Sequence, residues 1–141
     1  MTEIVTMKRG PRRELGWVED LPEGGTRHLV GWDPKMEGNF EEIWRSGNSW
    51  WRLEPGRAVR CDLGLVLTPD NVVACVAKIN GIIKRDDMRM GFIGKPIHGD
   101  YDNWIGKILE RNDSKNPIAY FDERAILPPD KVTKDTEKLN L

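Results

Sequence analysis

The sequence predicts an α+β, β-rich domain: a compact antiparallel sheet curled toward a small barrel, with one or two short helices. Three observations lead there. The runs "DLGLVLT" (62–68) and "VVACVAKI" (72–79) are rich in β-branched residues and are joined by "PDN", which favours a tight turn. Further short strand patterns recur along the chain, punctuated by 14 glycines and 9 prolines. Helical spacing is confined to brief stretches. An open α+β sheet is the alternative arrangement.

The elements follow in order. Residues 1–14 are basic and contain a proline, so they read as a mobile arm or, at "EIVTMK", an edge strand. From Leu15 to Phe40 the chain is irregular, with turn signals at "LPEGG", "GWDP" and "MEGN" and one strand candidate at "TRHLVGW". Asn39 can cap a helical turn through "FEEIW", where Glu41 and Glu42 suit the positive end. "SWWRL" reads as a short strand and "EPGRAVR" as a turn, helical at most. After the 62–79 hairpin, "INGIIKRDD" ends in a charged loop and "MRMGFIGKPI" is a further strand. "DNWIGKILERN" has helical spacing, with Asp102 or Asn103 as cap and Ile105, Ile108 and Leu109 inward. "PIAYFDERAIL" is a last strand, and the proline-broken, charged stretch beyond it is a tail. The division is therefore an irregular extension packing on the core (1–43), a β-rich core (44–128) and a tail (129–141).

At 141 residues, with 38% hydrophobic and 32% charged residues, the chain suits one globular domain. A domain of this length buries about two-thirds of its unfolded surface. No apolar run approaches the ~18 residues of a membrane span, and the N-terminus lacks the apolar centre of a secretory signal. The expected compartment is the cytoplasm, where Cys61 and Cys75 stay unpaired thiols. Their spacing does not suit a zinc site, and no metal or other cofactor is implied.

Net charge is −1, but it is unevenly spread: +3 over residues 1–13, −6 over 14–42, +3 over 43–111 and −1 beyond. That pattern fits a local anion site rather than a broad nucleic-acid footprint.

Motifs for catalysis are weak. His98 stands near Asp100 and Asp102 in "GKPIHGDYDNW", which allows a hydrolase reading with His98 and Asp100 in the catalytic roles. His28 has no nearby partner in sequence. Pro69, Asp70 and Lys78 echo half of a metal-dependent nuclease pattern. Val76 occupies the place of the second metal-binding acid, so Asp70 is better read as a turn residue. There is no phosphate loop leading into a helix and no nucleophile elbow.

The six tryptophans carry the strongest signal. Trp44 and Trp104 fit a core role. Trp50 and Trp51 are consecutive, and in a strand they must face opposite sides. One of them is either covered by the N-terminal segment, which carries Trp17 and Trp32, or forms the floor of a binding site. A tryptophan among cations suits stacking on a flat base while guanidinium groups hold phosphate. Alternation sets Arg52 on the face of Trp50, and Arg57, Arg60, Lys84, Arg85, Arg89, Lys95 and Lys107 are further candidate cations. The expected ligand-binding set is Trp50, Trp51, Arg52, Arg57, Arg89, Lys95 and Lys107. The expected function is non-catalytic binding of nucleic acid or a nucleotide-like ligand. The rival is a protein-interaction module, such as an immunity or phage-defence component, with the same residues as interface anchors.

Five stretches carry a resemblance: "WWRL…RAV" (50–59), "VVACVAKING" (72–81), "RMGFIGKP" (89–96), "NWIGKIL" (103–109) and "NPIAYFD" (116–122). Together, over residues 44–127, the chain resembles a small bacterial β-rich domain found near restriction and GIY-YIG-type nucleases. More loosely, it resembles PUA-like folds that hold nucleotides or modified bases. The resemblance implies a stand-alone reader or accessory module. Its matching positions are Trp51, Arg52, Arg57, Phe92, Gly94, Lys107, Asn116 and Pro117. The first 40 residues depart from the pattern.

Overall fold

A computed structural model describes residues 3–109, 116–122 and 138–139. Five strands form a mixed sheet: β1 (Glu3–Lys8), β4 (Cys61–Leu67), β5 (Val73–Lys84), β6 (Met90–Pro96) and β8 (Ile118–Asp122), in the order β6-β5-β4-β1-β8. β1 runs parallel to β4 and every other pairing is antiparallel. The remaining strands are β2 (Arg13–Asp20) and β3 (Thr26–Val30), which form a separate hairpin, and β7 (Ile108–Leu109), which pairs in parallel with β9 (Lys138–Leu139). The helices are α1 (Phe40–Gly47) and α2 (Pro55–Ala58). The described residues are thus β-rich, with two short α-helices. The sheet is mixed rather than purely antiparallel, and no closed barrel occurs among the described residues. None of the described helices is long and apolar enough to cross a membrane.

β1 is neither an arm nor an edge. It lies between β4 and β8, and Ile4, Val5, Thr6 and Met7 are fully buried. Strand alternation sends Ile4 to one face, with Leu63, Leu65, Leu67, Val76, Trp104 and Leu109. Val5 and Met7 go to the other, with Ile43, Trp44, Val66, Cys75 and Phe92. Each face therefore has its own core. Burying Trp104 contributes about 4–6 kcal/mol of transfer free energy, from ~150–250 Å² at ~25 cal/mol/Å².

α1 begins where the sequence predicts, with the Asn39 side chain accepting from the Glu42 backbone N–H at 3.3 Å. It runs on for two turns, and the Trp44 indole donates to the Gly94 carbonyl at 3.0 Å. α2 is the turn expected at "EPGRAVR": Glu54 accepts from Gly56 and Arg57, and Pro55 stands at the start. The helix expected from Asp102 reduces to a single 3₁₀ turn, Asp102–Trp104. Gly106, at φ +86°, turns the chain out of helical geometry, and Ile108 and Leu109 become β7. Residues 110–112 of that expected helix, 123–127 of the expected last strand and most of the expected tail lie outside the described residues.

Between Leu15 and Phe40, where one strand was expected, β2 and β3 form a hairpin closed by Leu21–Gly25, with Gly24 and Gly25 at positive φ. The pairing skips from Glu14 to Glu19, leaving a bulge around Gly16 (φ +84°) and Trp17. Another contact frames the base of the hairpin. Trp32 donates to the Gly10 carbonyl and Arg12 donates to the Trp32 carbonyl. A Cβ on Gly31 would stand 2.3 Å from the Pro11 carbonyl oxygen, so this approach requires glycine.

Candidate functional site

The N-terminal segment builds a site instead of covering one. A cleft of about 590 Å³ lies between the end of β1, the β2–β3 hairpin, the Ser49–Trp51 segment and the loop between β5 and β6. That volume is within the range of small-molecule sites. Trp50 and Trp51 both line it and both are partly exposed. The expectation of opposite faces fails because "SWW" is not a regular strand. Only Trp51 pairs, exchanging two backbone hydrogen bonds with Met90, while Trp50 anchors its indole N–H on the Asp20 carbonyl at 2.8 Å. The Trp51 indole donates to the Gly47 carbonyl at the end of α1. Both rings are held at their edges, and both carry an arginine: Arg85 over Trp50 and Arg9 over Trp51, each 5.0 Å from the ring centroid.

β2 supplies a third tryptophan. Arg13, Leu15, Trp17 and Glu19, spaced two apart, all line the cleft, so one face of this strand forms its wall. Trp17 is 61% exposed at the bulge.

Among the described residues, six cations line the cleft, Lys8, Arg9, Arg13, Arg27, Arg85 and Arg89, against two carboxylates, Glu19 and Asp87. The carboxylates are already committed. Glu19 bridges Arg27 (2.7 Å) and Arg85 (3.0 Å). Asp87 takes a two-pronged contact from Arg85 (3.0 and 2.6 Å) and lies 3.8 Å from Arg89. Hydrogen bonding from Arg85 pulls the Asp87 carboxyl down to about 2, and the same contact raises the Arg85 guanidinium.

Arg9 is the exception. It leaves β1 with its backbone N–H pinned to the Leu67 carbonyl, and the residue is only 7% exposed. Its Nε has no hydrogen-bond partner, and no carboxylate pairs with Arg9 among the described residues. Burial, followed by repulsion from Arg27 and Arg13 and only partly offset by the attraction of Glu19, pushes its guanidinium down to about 9, so it remains a cation at neutral pH. A buried charge without a counter-ion is costly, and native proteins rarely keep one. Arg27 is the contrasting case. Its side chain is 9% exposed and fully engaged, donating to Glu19 and to the carbonyls of Arg45, Ser46 and Ser49.

Of the residues singled out from sequence, Trp50, Trp51 and Arg89 line the cleft; Arg52, Arg57, Lys95 and Lys107 do not. Arg57 contacts Glu3 at 3.4 Å and stacks over Tyr120 at 5.2 Å. Arg52 is exposed, and Lys95 is an exposed β6 residue opposite Lys78. Lys107 is buried beside β7. Lys8, Arg9, Arg13, Trp17 and Arg27 were missed. The available signal was the basic run "KRGPRR" directly after a strand pattern. His98 packs its ring on Phe40 at 5.1 Å and does not line the cleft, and no three potential metal ligands cluster among the described residues. Cys61 and Cys75 are buried free thiols pushed up to about 12 by burial.

Gly91 links the sheet to the cleft. A Cβ there would meet Pro22 Cγ at 2.5 Å, Ser49 Cβ at 2.8 Å and Trp50 Cζ3 at 3.2 Å. Gly91→Ala is expected to cost about 1–3 kcal/mol by overpacking and to shift the Trp50 ring. Urea denaturation checks the first effect and the tryptophan emission maximum the second; unchanged values for both would contradict this packing.

No family model, curated protein or solved structure matches the chain. The reading of the cleft rests on its own chemistry.

Proposed function

We propose that this chain is a non-catalytic, PUA-like binding module for nucleic acid or a nucleotide-like ligand, held in the tryptophan–arginine cleft. The observation that carries the reading is Arg9: a buried cation with no carboxylate ion pair among the described residues, laid on the face of Trp51 in an open cleft. An incoming phosphate supplies the missing counter-charge through charge-assisted hydrogen bonds. Trp17, Trp50 and Trp51 supply flat apolar surface for a base. Arg85 and Arg89, clamped by Asp87, stay near the rim as further donors.

Intrinsic tryptophan fluorescence titrated with mononucleotides and single-stranded oligonucleotides tests this. Quenching that weakens with added salt is the expected response. Trp51→Ala is expected to lower affinity about 5- to 150-fold, the equivalent of ~1–3 kcal/mol of stacking. Equal affinity in the variant would remove Trp51 from the site.

A second reading has one supporting observation. Trp17 and Val18 are adjacent on β2 and exposed by 61% and 65%. An exposed aromatic–aliphatic pair on a two-stranded hairpin suits a protein partner. A heterologous complex on a sizing column, lost in Val18→Asp with nucleotide binding intact, would support it.

A further inference from the structure

We infer that the ligand is a compact nucleotide with a terminal phosphate, taken up free rather than as part of a strand; this rests on the cleft being a nucleotide site and narrows what fills it. The first argument is charge. The chain has 22 bases and 23 acids. Six of those bases and two of those acids line the cleft, an excess of four positive charges. Among the described residues, 11 bases and 15 acids lie outside it, an excess of four negative charges. A strand continuing past the cleft would meet described residues of net negative charge, which do not favour its phosphates. Compact polyanions avoid this, because all their charge stays within the cleft.

The second argument is the unmatched set. Glu19 and Asp87 are shared among Arg27, Arg85 and Arg89. Lys8, Arg9 and Arg13 have no carboxylate partner among the described residues, and all three line the same cleft. A phosphate monoester brings about 1.5–2 negative charges and three acceptor oxygens, whereas a strand's internal phosphodiester brings one charge and two tethers. Arg9 is 7% exposed, so an anion at the end of a ligand reaches it more readily than one tethered on both sides. With the phosphate at Arg9, the base comes to rest among Trp17, Trp50 and Trp51.

The terminal phosphate has two sources, a free nucleotide or the 5′-phosphorylated end of a strand. Calorimetric titration separates them, using the four nucleoside 5′-monophosphates, thymidine, 5′-hydroxyl dT12 and 5′-phospho-dT12 against the full chain and Arg9→Met. The expected result is binding of at least one monophosphate. Thymidine is at least tenfold weaker than dTMP, 5′-phospho-dT12 is no tighter than dTMP, and Arg9→Met loses the response. If 5′-phospho-dT12 binds tenfold tighter than dTMP while 5′-hydroxyl dT12 stays weak, the free-nucleotide source is overturned and the terminal-phosphate chemistry stands. If 5′-hydroxyl dT12 binds tenfold tighter than dTMP and Arg9→Met weakens it, the inference fails but the cleft remains a nucleic-acid site. If no probe binds, both readings fail.

Discussion

Arg9→Met is expected to give a protein that is more stable without ligand than the natural chain and unable to bind it. Most substitutions at buried positions destabilise, so the sign is the informative part. Arg9 is buried and stacked on Trp51, with an unbonded Nε and no carboxylate partner among the described residues. Its charge is retained against burial and against the repulsion of Arg27 and Arg13. Below about pH 9 the folded state therefore bears that cost in full; it is relieved only as pH rises through about 9, because the unfolded chain holds the proton more tightly. Methionine keeps a long flexible stem against Trp51 and Gly47 and removes the charge. Replacing buried charge with well-packed apolar side chains has raised stability by about 1–4 kcal/mol in other proteins. At the same time, losing a buried charge contact to a ligand costs about 2–5 kcal/mol of binding, or roughly 30- to 5,000-fold. Guanidinium denaturation measures the first effect and fluorescence titration the second.

Arg27→Met is expected to do the opposite to stability, lowering it by about 3–5 kcal/mol. The side chain of this arginine is only 9% exposed, and each nitrogen of its fork is used. It donates to Glu19 at 2.7 Å, to Arg45 and Ser46 carbonyls at the end of α1 at 3.0 and 3.1 Å, and to the Ser49 carbonyl at 2.6 Å. Burial lowers its guanidinium, and the Glu19 hydrogen bond works against that. Removing it leaves Glu19 with Arg85 alone, strands three carbonyls, and removes the hairpin's ties to the end of α1 and to Ser49. Arg27→Lys does not rescue it, because one ammonium cannot reach acceptors spread around a planar fork. Chemical denaturation tests both variants; a loss under about 1 kcal/mol in Arg27→Met would show that the clamp is not structural.

The opposite signs expected at two buried arginines explain what the sequence could and could not reveal. Local signals were legible. Asn39 caps α1, Pro55 starts α2, and the "PDN" turn joins β4 to β5, because each depends on residues a few positions apart. β1 was not legible as a central strand. Its neighbours, β4 and β8, are more than 50 residues away in sequence, and parallel pairing leaves no local turn to announce it. The tryptophan doublet pointed to the right place for an incomplete reason. Alternation predicted one ring in the site, whereas the irregular pairing of Trp51 with Met90 brings both. Arg52 and Arg57 were nearer in sequence, but Arg57 is engaged by Glu3 and Tyr120. Arg9 lay in a basic run that reads as solvated surface. Its side chain instead packs over Trp51 and beside Gly47, contacts that composition does not encode.

The most direct test is differential scanning calorimetry of the natural chain and Arg9→Met, each with and without a saturating nucleoside monophosphate. The account predicts that the variant melts above the unliganded natural protein and that only the natural protein gains stability from the nucleotide. A variant that melts several degrees lower, and still gains as much from the nucleotide, would mean that Arg9 holds the fold together and that the anion binds elsewhere.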